Sequence, residues 1–241
     1  MTTLISVKKL KKIYKVGEEK VRALDGIDLD IERGEICCIL GTSGSGKSTL
    51  LNMLAGLEAP TKGEIRIGKV RIDKMSEGRL TDFRRRHVGF VFQSYNLMNA
   101  LPAWANVAMP LEFRGVDKKT REKAAKDMLK AVDLANRVNH TPGEMSGGQQ
   151  QRVGIARAFV HHPQLVFADE PTGNLDSKTT IEVMKLMVSM ARQHEQTLII
   201  VTHDPEIAEY ADRVIHLIDG KIDRDSRIDS EALNVPEAGK N

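Results

Sequence analysis

The chain has 241 residues, enough for one large α/β domain or for a core with a second subdomain. Its 41% apolar and 29% charged residues describe an ordinary globular protein, and 36 basic against 33 acidic residues are too balanced to argue for a nucleic-acid partner. The start, MTTLISVKKLKKIYK, has no apolar stretch of signal-peptide length, and the uncharged run 88–111 is broken by Gln93, Ser94, Asn96, Pro102, Asn106 and Pro110, so neither a secretion signal nor a membrane span is expected. The only cysteines, Cys37 and Cys38, are adjacent in an apolar run and read as core residues of a cytosolic, disulfide-free protein.

In chain order, residues 4–14 and 22–31 predict two strands around the turn Val16-Gly17-Glu18-Glu19. A buried strand follows at Ile36–Leu40, then a glycine-rich loop, an amphipathic helix over 49–57 closed by Gly56, a turn over 59–63 and a strand over 64–67. Arg84, Arg85 and Arg86 form a basic cluster, which as a solvated face needs no function, ahead of a strand at Val88–Phe92. Residues 94–161 lack alternation and carry two helical patterns, 117–138 and 146–161, which suggests a mainly helical subdomain inserted in the core. Strand 166–168, helix Ser177–Gln193 and strand Thr197–Thr202 then give the strand, helix, strand order of a parallel sheet. The expectation is one domain over 1–222, with a core of 1–93 and 162–222 and a helical subdomain over about 94–161. A polar tail, 223–241, follows, with disorder expected over its last ~15 residues.

The stretch EICCILGTSGSGKSTLLNMLAGL carries the first chemical signal. Gly41, Gly46, Lys47 and Ser48 fit the phosphate-loop pattern G-x-x-x-x-G-K-[ST], and the strand before and the helix after supply the context that the pattern requires. Polyphosphate is densely negative, and glycines let successive backbone N–H groups approach it without a Cβ in the way. The helix starting near Lys47 adds the positive end of its dipole and its unpaired N–H groups. Lys47 can reach the β- and γ-phosphates, and the Ser48 hydroxyl can ligate Mg²⁺. Thr42, Ser43, Gly44, Ser45 and Thr49 complete the loop that would cradle a nucleoside triphosphate.

An apolar strand ending in Asp169 and Glu170 is the second signal. Asp169 is placed to hold Mg²⁺ and Glu170 to orient and polarise the attacking water, which must be well aimed more than strongly basic. Alone, either acid is equally a surface residue. The third signal, Ser146-Gly147-Gly148-Gln149, opens a helix, so it reads either as a plain cap or as a second anion site. Two phosphate sites for a single Asp-Glu pair are one too many, unless they belong to different active sites.

With GTSGSGKST, Gln93 after GFVF, MSGGQQQRV, LVFADEPTGNLDS and His203 after LIIVT in this order, the chain resembles the nucleotide-binding subunit of an ATP-binding cassette (ABC) transporter over nearly all of residues 4–222. The resemblance implies an α/β phosphate-loop NTPase core with a parallel sheet, an N-terminal antiparallel β-subdomain and an inserted helical subdomain. It implies a Mg²⁺-dependent ATPase whose two copies pack head to tail, so that Ser146, Gly147 and Gly148 of one close over the γ-phosphate held by Lys47 of the other. Gln93 would sense Mg²⁺ and the attacking water, His203 would contact the γ-phosphate, Asp176 would run along the dimer seam, and Tyr14 would stack on adenine. Taken singly, Gln93 is equally a surface amide, His203 a loop histidine, Asp176 a helix N-cap and Tyr14 a core aromatic. The family's signature usually begins with Leu where this chain has Met145, a swap of similar volume that leaves the phosphate-facing residues untouched.

Within the family, FVFQSYNLM, SGGQQQRV and ADEPTGNLDS look most like the bacterial group that serves lipoprotein release, macrolide export and antimicrobial-peptide resistance. A separate transmembrane permease is therefore implied, and through it a cytoplasmic position for this chain, peripheral on the inner face of the cell membrane. The apolar segment 97–111 is the candidate docking surface, with subdomain core as the alternative. A soluble cassette ATPase acting on DNA or ribosomes would carry a long coiled coil or a second cassette, and a GTPase an Asn-Lys-x-Asp motif; neither pattern is in the sequence.

Overall fold

The computed structural model describes residues 2–228, with Val16 described by its backbone alone. β1 (Thr3–Val16) and β2 (Glu19–Glu32) form a long antiparallel hairpin. The chain then enters β3 (Ile36–Leu40), which is buried almost throughout, and passes through the phosphate loop into α1 (Lys47–Leu54). β4 (Lys62–Ile67) and β5 (Val70–Arg71) return to the hairpin and complete a four-stranded antiparallel sheet of order β2-β1-β4-β5. α2 (Glu77–His87) leads to β6 (Val88–Phe92), after which α3 (Ala103–Phe113), α4 (Lys118–Ala131) and α5 (Gly147–Phe159) pack on one another. β7 (Leu165–Asp169), α6 (Ser177–Gln193), β8 (Thr197–Thr202), α7 (Pro205–Ala208), β9 (Arg213–Ile218) and β10 (Lys221–Arg227) complete the fold.

The main sheet has the order β10-β9-β3-β8-β7-β6, parallel except for β10 at its edge. Strands covered on both faces need apolar residues at every position, which is why ICCIL, LVFA and TLIIV read as continuous runs. The pleat divides those runs between two cores. Ile36 and Cys38 join the cluster with α5 and α6, while Cys37 and Ile39 join the cluster with α1 and the antiparallel sheet. The two cysteines are thus free and on opposite faces, with burial pushing the Cys38 thiol up to about 12. Register brings the strand ends level. Leu40 lies beside Thr202, and Val201 beside Asp169, so the carboxyl ends of β3, β8 and β7 finish together.

Besides β5, α7 and β9, which the sequence reading does not contain, four elements differ from it. α2 is a helix the pattern concealed, because among its side chains only Phe83 is buried. Two of its arginines are committed rather than merely solvated: Arg84 donates to the Gly56 carbonyl and pairs with Glu77 (2.9 Å), and Arg85 donates to the Phe113 carbonyl (2.9 Å), while Arg86 is exposed. α3 lies in the uncharged run 88–111, with Pro102 as its N-cap and Pro110 near its end, so prolines that resemble breakers stand where a helix tolerates or nearly tolerates them. The helix expected over 117–138 stops at Ala131, Asp133 adopts φ 60°, and a 3-10 turn takes Ala135–Arg137.

The fourth difference is a correction at the C-terminus. The polar tail expected from 223 is strand at its start: β10 runs to Arg227, joined to β9 through Asp219 and Gly220, both at positive φ as a tight hairpin requires. An edge strand with few apolar residues gives no periodic signal, yet Arg213 pairs with Asp225 across it at 2.6 Å. The disorder expected at the far end of the tail, 229–241, lies outside the described residues.

The small antiparallel sheet is pinned by one buried carboxylate. Asp73, its side chain 3% exposed, accepts from the Ile65 N–H (3.0 Å) and from Arg71 Nε (3.0 Å) and Nη2 (2.6 Å). Burial pushes its pKa up, and these donors more than reverse that, leaving it below the ordinary 3.8. Asp73→Asn is expected to cost about 1–3 kcal/mol of stability at neutral pH, read from urea unfolding. Because the folded pKa is depressed, this stabilisation is present above the unfolded value of 3.8 and lost as pH falls through the folded one. The gap between parent and variant should therefore close in acid, and a gap independent of pH would contradict the assignment.

Candidate active site

α1 starts directly at Lys47, with Gly46 as its N-cap and no side chain capping it. Its first-turn N–H groups therefore keep their donor capacity, at the wall of a cavity of roughly 910 Å³ lined by Gly41, Thr42, Ser43, Gly44, Gly46 and Lys47, with Ser48 and Thr49 behind them. The loop has its shape because neighbouring backbone stands where side chains would be. A Cβ at Gly41 would overlap the Leu217 carbonyl oxygen, and one at Gly46, where φ is 101°, would lie 2.5 Å from the Ala23 carbonyl oxygen. Ser45 is buried behind the wall, its carbonyl accepting from the Gly220 N–H at 2.9 Å. Lys47 Nζ lies across the loop, donating to the carbonyls of Gly41 (2.8 Å) and Thr42 (2.9 Å).

The end of β7 supplies the opposite side. Ser48 Oγ stands 3.5 Å from Asp169 Oδ1, too far for a strong hydrogen bond, so both keep lone pairs for another partner. Burial and the neighbouring Glu170 charge raise the pKa of Asp169, a penalty that a cation would relieve. Among the described residues no three His, Cys, Asp or Glu side chains cluster as a ready metal cage. One hydroxyl and one carboxylate beside a polyphosphate cradle nevertheless suit Mg²⁺, which takes its remaining ligands from phosphate and water.

Glu170 turns out of the strand at φ 45°, its N–H donating to the Val201 carbonyl (2.9 Å). Both carboxylate oxygens are held: Thr202 Oγ1 donates to Oε2 (3.1 Å), and His203 Nδ1 lies 2.9 Å from Oε1. Glu170 and His203 both line the Lys47 cavity. The common finish of β3, β7 and β8 is what brings them there.

Ser146, Gly147, Gly148 and Gln149 line a different cleft, of roughly 590 Å³, together with Asn174 and Asp176. Ser146 and Gln149 form a reciprocal capping box on α5, with Gln149 N–H to Ser146 Oγ at 3.3 Å and Ser146 N–H to Gln149 Oε1 at 3.1 Å. Glycine is required by close neighbours, since a Cβ at Gly147 would press on the Tyr95 hydroxyl and one at Gly148 on the Thr179 methyl. Met145 sits in the core at 8% exposure. Asp176 is the N-cap of α6, accepting from the Thr179 N–H (3.0 Å) and hydroxyl (2.6 Å).

Besides Ser45 behind the wall and Asp169 beside Ser48, two further expected site residues, Gln93 and Tyr14, do not line the cavity. The Gln93 side chain lies over Gly173, and the Gln93 backbone carbonyl accepts from Asn174 Nδ2 at 3.0 Å. The Tyr14 hydroxyl donates to Glu58 Oε2 at 2.6 Å, beside Thr49, which does line the cavity. Conversely, Val21, Arg22 and Ala23 of β2, with Pro205 and His216, form wall that no motif announces. Thr202, which holds Glu170, is legible in the sequence only as the neighbour of His203.

Comparison with known proteins agrees with this geometry. Residues 24–173 match the family described as ABC transporter. The chain is 42% identical over 229 residues to an uncharacterized ABC transporter ATP-binding protein of Methanocaldococcus jannaschii, MJ0796, covering 93% of this chain and 97% of that one. It is 46% identical to the lipoprotein-releasing system ATP-binding protein LolD of Chromohalobacter salexigens, covering 90% and 92%. A dimeric post-hydrolysis structure of MJ0796 bound to ADP and Pi superposes with a TM-score of 0.86 at 41% identity, over 93% of this chain and 98% of that one. A phosphate loop, an Asp-Glu strand end and a capped Ser-Gly-Gly helix, in a fold shared with such a cassette over nearly its whole length, leave one assignment: the chain belongs to the ABC transporter family, as an ATP-binding, ATP-hydrolysing subunit.

Proposed function

We propose that two copies of this chain bind two ATP molecules head to tail, and that ATP-driven closure and hydrolytic release move a separate membrane permease. One observation carries this reading: the Lys47 cavity and the Ser146 cleft share no lining residue, so a single chain holds two half-sites that do not meet. A twofold pairing turns both halves to use, with the donor N–H groups of one copy's α5 facing the γ-phosphate held by its partner.

In the reaction, the loop N–H groups and Lys47 bind the triphosphate, Lys47 exchanging the Gly41 and Thr42 carbonyls for β- and γ-phosphate oxygens. Ser48 and Asp169, assisted by Gln93, would hold Mg²⁺, which supplies charge neutralisation at the phosphates. Glu170 orients the attacking water. Thr202 and His203 fix its two oxygens, and with Nδ1 on Glu170 the His203 ring keeps Nε2 for the γ-phosphate. Tyr14 offers a ring face to adenine, and Asp176 borders the seam.

The likeness to LolD, and a 43% identity to a macrolide export ATP-binding/permease protein of Chlorobaculum tepidum of which this chain spans 36%, support a role beside a permease of the release or export type at the cytoplasmic membrane face. Among the described residues no helix is long and apolar enough to cross a membrane. Of the segment 97–111, Ala103, Asn106, Val107, Ala108 and Leu111 are buried, so one face of it is core and the remaining ten residues are partly or fully exposed. The surface left for the permease is the apolar cleft where Met109, Pro110 and Phe113 meet Phe90 and Phe92.

Glu170→Gln is expected to keep ATP affinity, lower turnover by about 10²-fold or more and accumulate an ATP-bound dimer on gel filtration; a variant that stays monomeric with ATP would refute the clamp. A second test uses pairing. Lys47→Ala and Ser146→Arg should each abolish hydrolysis alone, while an equal mixture should regain it at roughly a quarter of the sites, those combining an intact half from each protein. A mixture as inactive as its components would exclude the shared site.

A further inference from the structure

Tyr14 is fixed more firmly than a surface aromatic needs to be. Its phenol donates to Glu58 Oε2 at 2.6 Å, the length of a charge-assisted bond. The other oxygen of the same carboxylate pairs with Lys12 Nζ at 2.7 Å, and that ammonium also donates to the Ala59 carbonyl (2.8 Å). Lys12 lies over the Tyr14 ring at 5.1 Å from its centroid, so one face of the ring is backed by a cation. Burial pushes the Glu58 pKa up, and the bonds from Lys12 and Tyr14 outweigh it, keeping the carboxyl below its ordinary value and ionised as an acceptor.

The position of Glu58 gives the contact its meaning. Its N–H and that of Leu57 both donate to the Asn52 carbonyl, in the last turns of α1. One helix therefore presents N–H groups to the phosphates at its start and, through the turn at its end, grips the aromatic at the base end. β1 is stitched to the same turn, by Ile13 N–H to Thr61 Oγ1 (3.0 Å) and Thr61 N–H to the Lys11 carbonyl (2.9 Å).

We infer that Glu58, backed by Lys12, is a positioning residue for nucleotide recognition: it holds the Tyr14 ring in one orientation, with one face covered by Lys12 and the other left for the base. This rests on the proposed reading that Tyr14 stacks on adenine. Stacking reads only a ring face, so its strength depends on how the ring is held before the base arrives, and a ring ordered in advance loses less freedom on binding.

The test measures ATP affinity, turnover and the competition of inorganic tripolyphosphate, which has no base, using the full chain with Mg²⁺ and confirming that each variant melts close to the parent. Tyr14→Ala should weaken ATP binding by roughly 5- to 100-fold. Glu58→Ala and Tyr14→Phe should each weaken it by about 3- to 10-fold, and the double variant should be no weaker than either single one. Glu58→Gln, which keeps an oxygen acceptor for the phenol, should recover most of the loss. Tripolyphosphate affinity should stay at the parent value in all of them, and in the Glu58 variants the loss should fall on KM and not on kcat. If Tyr14→Ala leaves ATP affinity unchanged, the stacking reading itself falls. If Tyr14→Ala weakens ATP while Glu58→Ala does not, stacking stands and the positioning role is overturned; equal loss of tripolyphosphate and ATP in Glu58→Ala would overturn it too, by placing the effect in α1 and the loop.

Discussion

The phosphate loop keeps its form because it is clamped by backbone from two distant parts of the chain. The Ala23 carbonyl of β2 stands against Gly46, the Leu217 carbonyl of β9 against Gly41, and the Gly220 N–H holds the Ser45 carbonyl. Carbonyls outside and N–H groups inside polarise the loop toward its cavity, which is what a polyanion requires. The antiparallel sheet and the edge hairpin are thus parts of the nucleotide site. Their cost in chain length is justified by a loop that needs little reorganisation on binding.

Within one chain the two half-sites remain mechanically joined. The segment after Glu170 runs through Pro171, whose carbonyl accepts from the buried Gln151 of α5, and through Asn174, which donates to the Gln93 carbonyl and lines the Ser146 cleft. On the proposed mechanism, displacement of Glu170 would be passed through these bonds to α5, whose N-cap is Ser146, and to Gln93 after β6. On the proposed arrangement, each copy's catalytic end reports to the signature helix it lends its partner. Gln93 follows the last residue of β6, where the chain leaves the main sheet toward α3.

How much of this is legible in the sequence depends on how local each signal is. The phosphate loop, the Asp169-Glu170 end and the Ser146 cap are local, their residue types demanded by chemistry within a few positions, so they can be read directly. α6 and β8 are legible to the residue because one shows a helical stripe and the other an unbroken apolar run. α2 and β10 bury too little to leave a period, and α3 is masked by Pro102 and Pro110. Arg22, His216 and Gly220 reach the site through tertiary placement alone, so no spacing could announce them. Tyr14 illustrates the converse: a family motif points to it, while its restraint by Glu58, 44 positions away, appears only in three dimensions.

The composition of the Ser146 cleft bears on why a nucleotide should be needed to close two copies. Its walls carry Asp133, Arg152, Asn174, Asp176, Thr179 and Glu182, with Arg152 bridging Asp133 (3.4 Å) and Glu182 (2.9 Å). None of the large apolar side chains exposed among the described residues lines this cleft, although Val21 and Ile218 line the Lys47 cavity. A seam of this kind gains little from burying apolar area, and water competes for each of its polar contacts. On the proposed arrangement the missing attraction comes from the ligand, whose γ-phosphate would give the N–H groups of the partner copy's Gly147 and Gly148 an acceptor. Cleavage of that phosphate from ATP removes the link at the point where the two halves meet, so the same contact that assembles the site ends with its chemistry.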